Sequence, residues 1–519
     1  MAKKRYIFSA DIASAHPGNK NLSVPTDSVY AELANEVFDV VSEYYTEQSI
    51  EEVKLLALHL SLYLEDVVSQ GGIWQAFTEK HEQLYNSRVP FFDVHQDKNG
   101  DYHVYDTHIA DDYYVDEPNM VDAYFLIWKW YIGVSGKLCG THNQRCLDCA
   151  VDVTDLLLDW YERIPANTLL RSSLLKMASI DNVYAFRSAL LWFVNECFLT
   201  YDFRAFEWAE HLSDQMLMML GEIIEPQLLE YTILGIMAHG HKVGPLALLP
   251  VQWLQLIMQT YDNEALAQRL ANCEYRKTEL YRIQEVSHER LILADHKDAT
   301  IEIEKAELKL DDGGDSFDDK ITIIGQFFRI DNVWYLVGSC SMMKKDVIDN
   351  IKADEDKRKR MRSAFNKLFG DKRLFYFSDM SECKAWLKEI MKHAGLNKNH
   401  SVITGLSEAL NESTNINVFY DEDAAQLVVT RDIARALKAP DNPYYVEART
   451  QQELQEDLTI IYNRKFPPSY FTILAQSHAL DGILDAPLFD TSRSVQQRRN
   501  DLDLVARLMR QDYYIEPSC

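Results

Sequence analysis

Between Tyr281 and Val337 the chain changes its period. Elsewhere apolar residues recur at helical spacing, but here LYRIQEV, ERLILA, ATIEIEKA, ITIIGQFFRI and VWYLV alternate residue by residue and are rich in branched and aromatic side chains. Polar turns such as DDGGD and DN separate the runs, which is how a small antiparallel barrel or curled sheet is written. A strand pattern cannot share the stripe of a helix bundle, so this module punctuates the chain. The fold class expected is α+β: a predominantly α-helical N-terminal region, a small five-stranded antiparallel barrel-like module, and a mixed α/β C-terminal region. The expected boundaries are 1–272, 275–345 and 346–519.

At 519 residues the chain can bury several cores, and with 47% apolar residues, 19 glycines and 14 prolines it has neither a disordered nor a collagen-like composition. Its formal charge of −27 repels phosphate backbones at long range and leaves room only for a local basic patch. The start MAKKRYIFSADIASAHPG lacks the apolar core of a signal peptide, and no run approaches the roughly 18 apolar residues of a membrane span. A cytoplasmic protein without membrane contact is expected. Cys197, Cys273, Cys340, Cys383 and Cys519 are isolated in sequence, so the cysteines form no disulfide framework, and a reducing compartment fits.

Helix signals dominate both flanks. Thr26 is placed to cap VYAELANEVFDVVSEYY, and Ser49 with Glu52 forms a capping box ahead of VKLLALHLSLYLEDVV. Gly71 and Gly72 break that helix before IWQAFTEKHEQLY resumes. Residues 88–118 read as a long acidic loop with a hairpin about Asn99 and Gly100. Helices return from Val121 to Asn272 without a fixed repeat period. Beyond the module, CKAWLKEIMKHAG reads as a helix, INVFYDEDAAQLVVT as a hairpin, and DIARALKA, QELQEDLTIIYNRK, SYFTILAQSHALDGIL and RNDLDLVARLMRQDYY as helices between proline turns.

Over about the first 130 residues, in PTDSVYAELANEVFDVV, LYLEDVVSQGGIWQAFTEKHEQLYNSRVPFF and VDAYFLIWKWY, the chain resembles a family of largely helical bacterial proteins classed as a domain of unknown function. The resemblance implies a helical fold and brings no reaction with it. ERLILADHKDATIEIEKAEL with FFRIDNVWYLVG is similar to small barrel modules of other bacterial proteins.

Chemistry has few addresses. CGTHNQRCLDC holds Cys139, His142, Cys146 and Cys149, soft and borderline ligands that suit tetrahedral zinc; the alternative is a polar connection running into a helix whose first turn buries Cys146 and Cys149. His59 lies about a turn and a half before Glu65 and Asp66, which allows an inward His–acid pair; the favoured reading is a surface or satisfied core histidine. His239 and His241 are read as capping a helix end. Asp93, Asp97, Asp101, Asp106, Asp111, Asp112 and Asp116 lack the spacing of a calcium loop. GxxxxGK, GxGxxG and GxSxG are all missing, so no catalytic or cofactor-binding residue is assigned.

One basic island interrupts the acidity. KADEDKRKRMRSAFNKLFGDKR, over residues 352–373, carries Lys357, Arg358, Lys359, Arg360 and Arg362, which would contact phosphate or RNA if Phe327, Phe328, Trp334 and Tyr335 of the β module stacked bases; the opposing reading is a solvated helix face and a barrel core. Arg493, Arg498, Arg499, Arg507 and Arg510 lie among aspartates and are read as surface ion pairs. With no reactive constellation and abundant Tyr and Trp, the expectation is a non-enzymatic interaction or scaffold protein with a protein partner and an exposed apolar patch. The alternative is a nucleic-acid-associated protein that uses the module and the basic helix.

Overall fold

The structure, a computed structural model, describes residues 4–18, 24–104, 112–220, 225–295, 298–308, 322–338, 340–343, 345–395, 413–422, 425–462 and 466–511. The DDGGD turn, Asp106, Asp111 and Cys519 lie outside the described residues. The chain forms two compact units, Met1–Met342 and Met343–Cys519.

The first unit opens with α1 (Ser9–Ala15), α2 (Asp27–Tyr44), α3 (Ile50–Val68) and α4 (Ile73–Tyr85). Ser49 Oγ accepts the Glu52 amide while the Glu52 carboxylate accepts the Ser49 amide, the reciprocal cap written in the sequence. Thr26 stands at the N-cap of α2, but its side chain makes no cap bond; Asp27 instead accepts the Val24 amide at 2.8 Å. Three short strands, β1 (Val94–Gln96), β2 (Tyr102–Val104) and β3 (Asp112–Tyr113), form an antiparallel sheet whose first hairpin turns at Asn99 and Gly100.

Next come α5 (Met120–Ser135), α6 (Gln144–Tyr161), α7 (Leu170–Ala178), α8 (Val183–Leu190), α9 (Trp192–Asn195), α10 (Ala205–Leu220), α11 (Pro226–His239), α12 (Pro250–Thr260) and α13 (Glu264–Ala271). Helix α5 is apolar nearly all round and is the buried axis: Tyr124, Phe125, Ile127, Trp128 and Trp130 are all inaccessible to solvent. No helix of the described residues is long and apolar enough to cross a membrane.

The β module joins β4 (Glu274–Val286), β5 (Arg290–Ala294), β6 (Thr300–Glu304), β7 (Thr322–Ile330) and β8 (Val333–Leu336) antiparallel in the order β6-β5-β4-β7-β8, and β9 (Ser341–Met343) pairs with β7. It curls into a nearly closed barrel, with β6 approaching β8. Alternation does what the sequence implied: Ile301 and Ile303 enter the core while Thr300, Glu302 and Glu304 face out. Asp331 and Asn332, both at positive φ, make the tight β7–β8 turn. Strand β4 starts before the apolar alternation does, because Glu274–Glu279 pairs with β7 while remaining half exposed.

Helix α11 sits on the barrel through small residues. A Cβ at Gly235 would lie 2.5 Å from Val337 Cγ1, and one at Gly338, where φ is +94°, would lie 2.7 Å from Thr232 Cγ2.

The second unit contains α14 (Lys345–Phe369), β10 (Leu374–Asp379), α15 (Met380–His393), β11 (Thr414–Asp421) and β12 (Gln426–Thr430), with strand order β10-β11-β12. Its core stacks Phe365 on Tyr420 at 3.8 Å and adds Phe375, Phe377, Leu387 and Ile416. Helices follow at Gln451–Asp457, Pro468–Gln476 and Val495–Arg510. DIARALKA is not a helix; only Ala434–Ala436 makes a 3-10 turn, since Asp432 is left-handed and the Asn442 amide takes the Ala434 and Leu437 carbonyls. Nor are the late arginines all at the surface. Arg507 and Arg510 are buried, held by Asp503 at 2.8 Å and by the Phe466 carbonyl at 2.6 Å.

Candidate functional site

The cysteine cluster is split by its surroundings. Asn143 caps α6 by accepting the Cys146 amide at 3.1 Å, which turns Cys146 and Cys149 inward, where both are buried. The Cys139 thiol interacts with Cys146 and lowers its pKa, and the Tyr45 hydroxyl donates to Cys146 Sγ at 3.3 Å. Burial pushes the Cys149 thiol up. His142 lies instead between the rings of Phe92 and Tyr124, 5.4 and 6.5 Å away. Among the described residues no three His, Cys, Asp or Glu side chains are grouped to hold a metal ion.

The basic residues do sit on one helix. Lys357, Arg358, Lys359 and Arg360 are exposed on α14, whereas Arg362 is half-buried and donates from Nε to the Glu422 carbonyl at 3.0 Å. Met361, Ala364 and Phe365 face the core from the other side of that helix. Three of the four aromatics that were to stack bases are buried, Phe327 and Phe328 inaccessible and Trp334 7% exposed, while Tyr335 is half-exposed. Alternation put those three inside the barrel or, for Phe328, against Phe186 and His239 of the helices, where their area stabilises the fold.

The histidines are structural in a way that local spacing could not show. His59 is buried edge-on to Tyr201, and burial drives its pKa well down. Glu65 does not meet it; Glu65 takes His16 Nε2 at 2.8 Å and the Asn167 amide at 2.9 Å. Asp66 accepts the Ile73 and Trp74 amides at the start of α4, and desolvation raises its pKa to about 7. His239 stacks on Phe328 at 4.0 Å and His241 pairs with buried Asp202 at 2.7 Å, so both bind inward and neither is simply a cap.

What remains open is the α10–α11 hairpin. Helix α10 contains Phe206, Trp208, Leu212, Met216 and Leu217, yet none of its described side chains is fully buried. A helix in a globular protein is held mainly by burying an apolar face, and here Trp208, Leu212 and Met216 are half-buried, Trp208 edge-on to His241 at 5.3 Å, while Phe206 and Leu217 stand exposed. Phe206 is 75% exposed and Leu217 38%; on α11, which packs against α10, Leu228 is 42% and Leu234 37% exposed. Around them Glu207, Glu210, Asp214, Glu225 and Glu230 are exposed, and no lysine or arginine occurs from Ala205 to His241. The surface is therefore apolar with an acidic rim.

A cavity of about 400 Å³ opens at the start of α11, where that helix meets the barrel. Glu225 and Gln227 are exposed at its mouth; Leu308, Leu336 and Gly338 form buried parts of its wall. Tyr184 Oη donates to Glu307 Oε2 at 3.4 Å across the lining, and burial raises the Tyr184 pKa. Tyr231 completes the aromatic side, with the Arg187 guanidinium 3.9 Å from its ring centroid. Cys340 donates from Sγ to the Leu308 carbonyl, and desolvation raises its pKa to about 11. Sequence reading missed this site. Its one local signal was the unbroken acidity of residues 205–241 around bulky apolar positions.

A family model described as "Protein of unknown function (DUF3843)" matches residues 6–291. No curated protein and no solved structure matches the chain.

Proposed function

We propose that this chain, which belongs to the family described as Protein of unknown function (DUF3843), is a non-enzymatic interaction protein that docks a basic, amphipathic segment of a partner protein on the α10–α11 hairpin. The carrying observation is that α10 exposes Phe206 and Leu217 and α11 exposes Leu228 and Leu234, in a stretch from Ala205 to His241 that has exposed carboxylates and no lysine or arginine. Charge selects the occupant. A second copy of a chain with a formal charge of −27 would bring acidic rim against acidic rim, and an anionic membrane or a nucleic acid would be repelled in the same way. A helix with an apolar stripe flanked by lysine or arginine satisfies both features. A cytoplasmic setting belongs to the same reading, since it suits scattered thiols.

The nucleic-acid reading keeps the exposed cations Lys357, Arg358, Lys359 and Arg360, but of the four barrel aromatics it calls on, Phe327, Phe328 and Trp334 are buried and Tyr335 is half-exposed. Zinc at Cys139, His142, Cys146 and Cys149 would require His142 to leave its aromatic neighbours. Neither reading has an observation in its favour comparable to the exposed apolar residues of α10 and α11.

The test places a benzoylphenylalanine photocrosslinker at position 206 of the full-length protein in its native cell. An adduct to a protein through a basic amphipathic segment is expected, and L217E with L234E should abolish it. An adduct to nucleic acid or to a second copy, or one indifferent to L217E and L234E, would overturn the proposal.

A further inference from the structure

The cavity at the start of α11 has a chemistry that the apolar docking face does not explain. We infer that it seats a lysine or arginine side chain projecting from the docked segment; this rests on the docking reading above and adds the chemistry of its anchor. Leu228, 42% exposed, lies on the same stripe of α11 as Thr232 and Gly235, which meet the barrel, and it lines the cavity. A cavity of about 400 Å³ is within the range that holds an organic group rather than a single water.

The lining is graded as a long cationic side chain requires. Leu308 and Leu336 offer apolar wall to an aliphatic stem, which such side chains bury while their charged heads stay polar. Glu225 and Glu307 reach the space from different elements, the start of α11 and the turn after β6, and neither has an ion pair among the described residues. Glu225 is the N-cap residue of α11, yet its side chain makes no cap bond, so its carboxylate is not committed to the helix. Tyr184 adds a ring beside Glu307, whereas one face of Tyr231 is already covered by the Arg187 guanidinium, 3.9 Å from its centroid, so the two carboxylates and not that ring would hold the charged head.

Other occupants fit less well. An anion would meet two carboxylates. An uncharged apolar side chain would desolvate the Tyr184–Glu307 pair and return no hydrogen bond. A primary ammonium or guanidinium on an apolar stem satisfies carboxylates and wall together.

The experiment titrates the full-length protein with Nα-acetyl-lysine amide and reads binding by saturation-transfer NMR, with Nα-acetyl-norleucine amide as the uncharged control. A second readout follows maleimide labelling of Cys340, which lines the cavity, against Cys273, which does not. Saturable binding of the lysine probe is expected, with slower labelling of Cys340 alone, and about a tenfold loss of affinity in E307Q or E225Q. Equal binding of the norleucine probe, unaltered affinity in both variants, or unprotected Cys340 would overturn the inference. Agmatine binding orders of magnitude more tightly than the capped lysine would also overturn it, by assigning the cavity to a free small cation. Failure here with a position-206 adduct intact would remove the anchor and leave the docking face; loss of that adduct alone would remove the docking reading.

Discussion

Replacing Gly338 by alanine should cost more than any other single methyl group at the seam between α11 and the barrel. Gly338 has φ of +94°, a region that L-residues enter at a cost of about 1–2 kcal/mol. The added Cβ would also lie 2.7 Å from Thr232 Cγ2 and 2.8 Å from both Thr232 Oγ1 and Thr232 Cα. The side-chain atoms could rotate away, but the Cα belongs to helix backbone and cannot move without shifting α11. Overpacking of this kind costs about 1–3 kcal/mol, so G338A should lose roughly 2–5 kcal/mol in total. The assay is urea unfolding followed by tryptophan fluorescence, comparing midpoints at unchanged slope.

Thr232→Ala provides the internal check. It removes two of the three close atoms, and with them the bond from Thr232 Oγ1 to the Leu228 carbonyl. In the G338A background it should therefore recover about 1 kcal/mol of the steric part, leaving the φ strain and the clash with the α11 backbone. G235A is the contrasting case, because alanine gains up to about 1 kcal/mol of helix propensity that offsets its overlap with Val337. If G338A unfolds at the wild-type midpoint, or if T232A and G338A are strictly additive, the steric reasoning for this seam is wrong.

Buried carboxylates set the pH dependence. Desolvation raises Asp66 and Asp122 from the ordinary 3.8 to about 7, so between those values the folded state holds protons that the unfolded state has released. Stability should fall as pH rises through that window, by on the order of 4 kcal/mol for each group, and level off above it; D66N should remove its share of the slope in unfolding midpoints measured from pH 4 to 8. In the second unit, Arg449 and Asp457 are each 2% exposed and 2.7 Å apart, so D457A should destabilise by about 3–5 kcal/mol by stranding a buried guanidinium, whereas R290A at the exposed Glu302 pair should leave the thermal midpoint unchanged. Under native conditions maleimide should modify the partly exposed Cys273 and Cys340 before the buried Cys149, Cys197 and Cys383; mass spectrometry finding Cys149 among the first would contradict the inward turn of α6.

Local signals were legible wherever neighbours in sequence carry the physics. The Ser49–Glu52 cap, the break at Gly71 and Gly72, the Asn99–Gly100 hairpin and the alternation of Ile301 and Ile303 all depend on a few consecutive residues, and each is present in the structure. DIARALKA failed because a competitor from further along the chain, the Asn442 amide, takes the carbonyls a helix would have used. The pairing of His16 with Glu65 and of His241 with Asp202 spans 49 and 39 residues, beyond any spacing rule.

By itself, then, the sequence determined the α+β class, the barrel-like module and the polarity of the residue 205–241 surface, since each follows from periodicity or composition. Only tertiary structure decided which apolar faces stay open. Phe327, Phe328 and Trp334 of the barrel and Trp128 and Trp130 of α5 went into cores, while Phe206 of α10 stayed at the surface, and burial depends on what the rest of the chain brings alongside. The cavity follows the same logic, for Tyr184, Tyr231, Glu307 and Cys340 are brought together solely by the packing of α8 and α11 on the barrel.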